Sequence, residues 1–155
     1  MQKDDCVFCQ IASGKIQTRV IHENDSHIAI LSHAPNTEGF TVAFPKEHHH
    51  SYFAEVPKEI RTGLVEFSSE VAKLLNNVFE DVGRTGMMFE GFGVDHLHSK
   101  LFPMHGTVGE EWQQRASKVD KYFENYEGSI SSHDYGEPNR PEIDETYKKI
   151  LDYKK

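Results

Sequence analysis

Asp95-His96-Leu97-His98-Ser99-Lys100-Leu101-Phe102-Pro103 decides how this chain is read. Side chains on an extended strand alternate between two faces. His96, His98 and Lys100 then project to one side, and Leu97, Ser99 and Leu101 to the other. Successive residues on one face lie about 7 Å apart, so two imidazoles and an ammonium stand in a row. Burying such a row is costly unless an anion or a metal sits among them. A solvent-facing polar strand is the plainer alternative. Pro103 has no N–H for a sheet ladder and marks the end of the run.

Just upstream, Gly86-Met87-Met88-Phe89-Glu90 reads as a strand leading into Gly91-Phe92-Gly93-Val94. The two glycines allow a tight turn or close backbone approach to a ligand, and a simple hairpin turn accounts for them equally well. Before that, Ile60, Leu64, Phe67, Val71, Leu74, Leu75 and Val78 recur at steps of three and four. They form one apolar stripe on a long amphipathic helix, a core element and not a ligand box. Pro57 suits its first turn and Gly83 its stop.

Val20-Ile21-His22-Glu23, Ile28-Ala29-Ile30-Leu31 and Gly39-Phe40-Thr41-Val42-Ala43-Phe44 read as three further strands. Asn24-Asp25-Ser26 and the loop from Ser32 to Glu38 separate them, and Pro45 stops the third. Residues 6–14 carry two cysteines and a short helical turn ending near Gly14. Beyond Pro103, Met104 to Thr107 is a turn and Glu110 to Asn125 is helical or mixed. Gly128 to Arg140 reads as loop around a short strand, and Pro141 to Tyr153 as a final helix with Ile143, Tyr147, Ile150 and Leu151 on one face. No internal repeat or low-complexity tract interrupts the chain.

The 155 residues suit one domain, with 37% hydrophobic and 27% charged residues marking it as globular. A formal net charge of −8 argues against an extended nucleic-acid surface, but not against a small anion held by a local cationic patch. No apolar run approaches the ~20 residues of a membrane span, so no membrane partner is expected. The first five residues lack a signal-peptide pattern, which makes a cytoplasmic location the expectation. Cys6 and Cys9 are the only cysteines. In such a chain Cys-x-x-Cys reads as half a metal site or as a redox pair, and no βαβ pattern supports the second.

His96-Leu97-His98-Ser99-Lys100-Leu101-Phe102-Pro103 resembles the histidine triad (HIT) pattern, with two histidines of three present and Lys100 in the third place. Two further pieces agree in order: Cys6 to Gly14, and Gly39 to His48 with its Pro-Lys-x-His ending. The resemblance runs from about residue 6 to about residue 108. It implies an α+β fold, an antiparallel sheet of about five strands with the long helix packed on it. Residues 1–155 are then a single histidine-triad-like domain, with its core at about 6–108 and a C-terminal extension at 109–155. It also implies a homodimer formed through the helix and an adjacent strand.

For chemistry, the resemblance makes His98 the nucleophile, its ring held through a carbonyl near His96, with Lys100 at the place that touches phosphate. A neutral imidazole attacking phosphorus forms a covalent intermediate, and one tautomer must be held for the attack. The implied activity is that of a nucleotide phosphohydrolase or nucleotidyl transferase acting on phosphoanhydride, phosphoramidate or phosphoester bonds. Ile30, Ser32, Gly91, Gly93, Ser99 and His105 are the candidates for the rest of the ligand surface. Some bacterial relatives bind a structural zinc ion, and the matching ligands here are Cys6, Cys9, His48 and His96. Two thiolates and two imidazoles suit tetrahedral zinc.

Two departures fall on nucleotide recognition. Ser32 stands where members commonly carry a ribose-binding Asp, and Gly91-Phe92-Gly93 replaces a Gly-Gln-Ser segment. Both put a standard purine mononucleotide in question and leave other phosphate-bearing substrates open. They also keep alive a non-catalytic nucleotide- or zinc-binding protein of the same fold. A third reading, a catalytic metal centre of His48, His49, His96 and His98, lacks the carboxylates such sites usually include.

Overall fold

A computed structural model describes residues 3–109, 111–116, 122, 124–126, 128 and 137–155. In chain order its elements are α1 (Val7–Ala12), β1 (Val20–Glu23), β2 (His27–Leu31), β3 (Thr41–Pro45), α2 (Lys58–Val78), β4 (Thr85–Met88), β5 (Ser99–Pro103) and α3 (Pro141–Tyr153). The strands form one sheet in the order β1-β2-β3-β5-β4, with antiparallel neighbours throughout. This is the α+β architecture expected from the sequence.

Local chemistry sets the corners. The Asn24 side-chain oxygen accepts from the backbone N–H of Ser26 at 2.9 Å and of His27 at 2.7 Å, closing the β1–β2 turn. Pro57 immediately precedes α2, and its carbonyl receives the first helical N–H groups from Ile60 and Arg61. The α2 stripe is buried at Leu64, Phe67, Val71, Leu75 and Val78, with Ile60 and Leu74 half-buried beside them. The helix does not run to Gly83. It ends at Val78, because Phe79 turns to an extended conformation (φ −104°, ψ 109°) and buries its ring in the core.

The sheet separates two apolar layers. Ala29, Leu31, Ala43, Leu97 and Leu101 face α2, and Ile143 and Ile150 of α3 join the same layer. Ile28, Ile30 and Phe44 face the opposite way, against Cys6, Phe8, Cys9 and Ile11 of the N-terminal segment. The short helix α1 therefore lies on the face of the sheet that α2 leaves open.

The histidine stretch is strand only in its second half. Pairing begins at Ser99, where Ala43 is its partner, and continues to Leu101 opposite Thr41. The ladder to β3 does not continue to residues 96–98, although Phe44 and Pro45 lie beside them. The Leu97 N–H instead donates to the His49 carbonyl at 2.8 Å, which keeps the stretch extended and its alternation intact. Residues 111–116 form no helix. Much of the remainder of Glu110 to Asn125, and the short strand expected after Gly128, lie outside the described residues. No helix among the described residues is long and apolar enough to cross a membrane.

Candidate active site and metal centre

Alternation along residues 96–101 sends His96, His98 and Lys100 to the α1 face. All three are buried, at 0%, 4% and 6% exposure. Ser99 goes the other way. Its hydroxyl meets that of Ser68 on α2 at 2.7 Å, so it does not join the row.

The His98 ring is fixed by its own backbone. Nδ1 lies 2.7 Å from the His96 carbonyl, which can only accept. Nδ1 therefore carries the proton and Nε2 keeps its lone pair. Among the described residues Nε2 has no hydrogen-bond partner. The Phe8 ring packs edge-on against His98 at 5.4 Å. Burial, with Lys100 adding to it, lowers the His98 pKa below the ordinary imidazole value, against the opposing pull of the His96 carbonyl and Glu90. The ring is thus neutral near pH 7.

Lys100 is not a lone cation. Its ammonium contacts a Glu90 carboxylate oxygen, and the two side chains are 8% and 7% exposed. The Tyr126 hydroxyl donates to the other Glu90 oxygen at 2.8 Å, and its ring lies 5.2 Å from that of Phe92. Neither Glu90 nor Tyr126 was singled out from sequence. Register holds the signal for Glu90: Met88 pairs with Lys100, and Glu90 lies two residues further on, a diagonal neighbour. Gly91 takes φ +81° and turns the chain away beside the Ser51 carbonyl, whereas Gly93 has open space around it.

The second constellation lies at the other end of the row. One ligand atom from each of Cys6, Cys9, His48 and His96 falls within 4.8 Å of the others. His96 Nδ1 is 3.4 Å from Cys6 Sγ and 3.6 Å from Cys9 Sγ, and His48 Nδ1 is 3.5 Å from Cys9 Sγ. Tetrahedral zinc with its usual bond lengths separates sulfur from nitrogen by about 3.6 Å, so the spacing fits the ion. His96 Nε2–H donates to the Pro45 carbonyl at 2.8 Å, leaving Nδ1 as the free lone pair toward the thiols. Burial lowers the His96 pKa to about 4, which keeps that lone pair available. Burial also pushes the Cys9 thiol up, a penalty that a bound cation would reverse. A cavity of about 330 Å³, lined by Lys3, Asp5, Cys6, Val7, His48, Gly93, Val94 and Asp95, opens beside the cluster.

The remaining candidates separate. Ile30 is buried on the α1 face with Phe8 and Ile11. Ser32 lines a cavity of about 490 Å³ between the 32–40 loop and α3. His105 sits past the far end of β5, where Nδ1 meets Asp81 at 3.0 Å and Nε2 meets the Glu38 carbonyl at 3.0 Å. It ties a turn to the core and does not approach the His98 face. His49 contributes its carbonyl to the Leu97 N–H, and its ring lies 3.9 Å from Glu47. None of the three cavities described, including one beneath Trp112, is lined by His98.

A family model of the HIT domain matches residues 13–107. Over 112 residues the chain is 27% identical to an uncharacterized HIT-like protein of Methanocaldococcus jannaschii, covering 68% of this chain and 83% of that protein. Over 102 residues it is 29% identical to the adenosine 5′-monophosphoramidase hnt1 of Schizosaccharomyces pombe, covering 63% and 73%. A zinc-bound histidine triad family protein of Mycobacterium smegmatis shares the fold, with a TM-score of 0.64 at 20% identity over 97% and 98% of the two chains. The matched segment holds β1 to β5, α2 and both buried histidines, and on that ground the chain belongs to the HIT domain family.

Proposed function

We propose that this chain is a nucleotide phosphohydrolase or nucleotidyl transferase that works through a covalent intermediate on Nε2 of His98. The observation that carries the reading is the 2.7 Å contact from His98 Nδ1 to the His96 carbonyl, which leaves the second nitrogen unprotonated. The similarity to a monophosphoramidase supports the same chemistry. In the first step the Nε2 lone pair forms a bond to phosphorus. The bond to the leaving group breaks, and that group departs with the electron pair and a proton from solvent. Nδ1 keeps its proton, and the His96 carbonyl stabilises the positive charge on the phosphorylated ring. Water then attacks phosphorus, the P–N bond breaks, the electron pair returns to Nε2, and a proton goes to solvent. In a transferase an alcohol or phosphate acceptor replaces that water.

Cys6, Cys9, His48 and His96 would hold zinc. The ion would supply a cross-link between the N-terminal segment and the histidine stretch, with no part in the phosphoryl step. Such a site suits the cytoplasm, where thiols stay reduced. The outer edge of β4, at the end of the sheet, together with α2, is the surface through which the chain would dimerise.

Mass spectrometry of the intact protein mixed with adenosine phosphoramidate and related nucleotides tests the proposal. A nucleotidyl adduct on the parent chain, absent in His98→Ala, is the expected result, with turnover falling at least about 10³-fold. Equal turnover in the two proteins would refute it. The 4% exposure of His98 favours a second reading, a binding protein without turnover. Nucleotide binding with no product at high protein concentration would select it.

A further inference from the structure

We propose that the cavity beneath Trp112 is a second ligand site, one that takes a nucleoside phosphate with its base stacked on the indole and its phosphate on Arg84 and Arg115. The site stands apart from the His98 row and does not depend on the reading given to that row. The cavity holds about 640 Å³, and Arg84, Met104, Trp112, Gln113, Gln114 and Arg115 border it. That volume falls within the range of about 300–1,000 Å³ usual for small-molecule sites. β5 runs from Ser99 to Pro103, so a cavity beside Met104 lies past the end of the strand remote from His98. Residues 111–115 also lie beyond the segment that the HIT family model matches.

The arginines identify the charge of the ligand. Arg19 is paired with Asp144, Arg140 with Glu142, and Arg61 donates to the Ala54 carbonyl at 3.3 Å. Among the described residues, Arg84 and Arg115 have neither a hydrogen-bond nor an ion-pair partner, and both border this one cavity. Glu111 is the only acidic side chain on its lining, and it forms no ion pair with either. The chain has 25 acidic and 17 basic residues, so two guanidiniums left without a carboxylate on one cavity make a local cationic site for an outside anion. Each guanidinium presents a planar fork that matches the oxygens of a phosphate. Trp112 is 70% exposed and meets no other ring among the described residues, so its indole face is open to a nucleobase. The Gln113 and Gln114 amides bring both donors and acceptors for the edges of a base.

The floor of the cavity is already organised. The Met104 N–H donates to the Arg84 carbonyl at 3.1 Å, and the Gly83 N–H to the Thr107 hydroxyl at 3.0 Å. The Thr107 and Val108 N–H groups donate to the Asp81 carbonyl at 2.9 and 3.1 Å. Arg84 therefore projects from a fixed backbone, which lowers the ordering cost of binding.

Trp112 is the only tryptophan of the chain, so its fluorescence reports this cavity directly. The test titrates AMP and adenosine into the full chain and follows the emission. AMP is expected to change it, and Arg84→Gln/Arg115→Gln to weaken the AMP midpoint by at least about tenfold through loss of the charge-assisted contacts. Adenosine lacks the charge, and its midpoint is expected to be the same in both proteins. Both arginines are exposed, so the substitutions leave the fold intact. In His98→Ala the AMP response is expected to persist with the parent midpoint. Its loss there would place the nucleotide in the His98 row, overturning this inference and leaving the role of that row standing. An emission that AMP does not move, or an equal AMP midpoint in the parent and the double variant, also overturns it. The covalent adduct on His98 decides the other reading separately.

Discussion

The Ser68 hydroxyl on α2 lies 2.7 Å from the Ser99 hydroxyl on β5, in a layer where the surrounding side chains are apolar. Ser68 also donates to the Leu64 carbonyl at 2.7 Å, and Ser99 reaches the Ala43 carbonyl at 3.5 Å. The pair pins the helix to the strand that carries the row of His98 and Lys100. Removing one partner takes this bond from the other buried hydroxyl, which then keeps only its contact to a backbone carbonyl. Ser99→Ala is expected to cost about 1–3 kcal/mol. A chain of this size then loses roughly 2–4 °C of melting temperature per kcal/mol. Ser68→Ala/Ser99→Ala is expected to cost less than the sum of the single changes, because neither hydroxyl remains to be left unpaired. Denaturant unfolding of the three variants measures this, and strict additivity would show that the contact carries no coupling.

Much of this arrangement is legible in the sequence. Alternation already separates Ser99 from His98 and Lys100, and the three- and four-residue steps mark α2 from Ile60 to Val78. These patterns survive because burial of one face is a local consequence of period. Pairings between elements are less legible. Ser68 interrupts an apolar stripe without announcing Ser99 as its partner, and Tyr126 reaches Glu90 across 36 residues. Gly83 resembled a helix stop, but the burial of Phe79 ended α2 earlier; Gly83 instead packs against the Thr107 carbonyl, 2.5 Å from where a Cβ would sit. His105 looked like a neighbour of the triad only because it follows it closely in sequence.

The backbone contact to His98 makes a spectroscopic prediction. Nitrogen-15 correlation spectra of the His98 ring at pH 7 are expected to show the neutral form with the proton on Nδ1. The His96 carbonyl selects that tautomer, and burial disfavours the charged ring. A proton found on Nε2 would remove the lone pair on which the proposed attack depends.

The zinc site predicts a stoichiometry and a local effect. Purified protein is expected to carry one zinc ion per chain by elemental analysis. Cys9→Ser is expected to weaken the ion by more than about 100-fold, since losing an outer-shell partner alone costs up to that much. Chelation is expected to loosen residues 6–14 against protease before the rest of the chain, because their attachment runs partly through the ligands Cys6 and Cys9. Equal protection with and without metal would show that the Phe8–Phe44 stack, at 4.3 Å, holds the segment alone.

His105 gives the pH prediction. Both of its ring nitrogens face acceptors, Asp81 and the Glu38 carbonyl, so the ring is held as the two-proton cation. Burial works to lower its pKa, but the Glu38 carbonyl, the Asp81 hydrogen bond and the Asp81 charge outweigh burial and raise it above the ordinary 6.5. The His105 hydrogen bond and the Gly106 N–H hold the Asp81 carboxyl below its usual range. A raised histidine pKa contributes stability that is complete below about 6.5 and is lost as pH rises through the folded value. The lowered Asp81 pKa contributes stability present above about 3.9 and lost as pH falls through the folded value. The turn at Met104–Thr107 is therefore held most firmly between those limits. Proton NMR titration is expected to place His105 above 6.5, and Asp81→Asn to bring it down. A His105 titration unmoved by that substitution would show that the ion pair does not hold the turn.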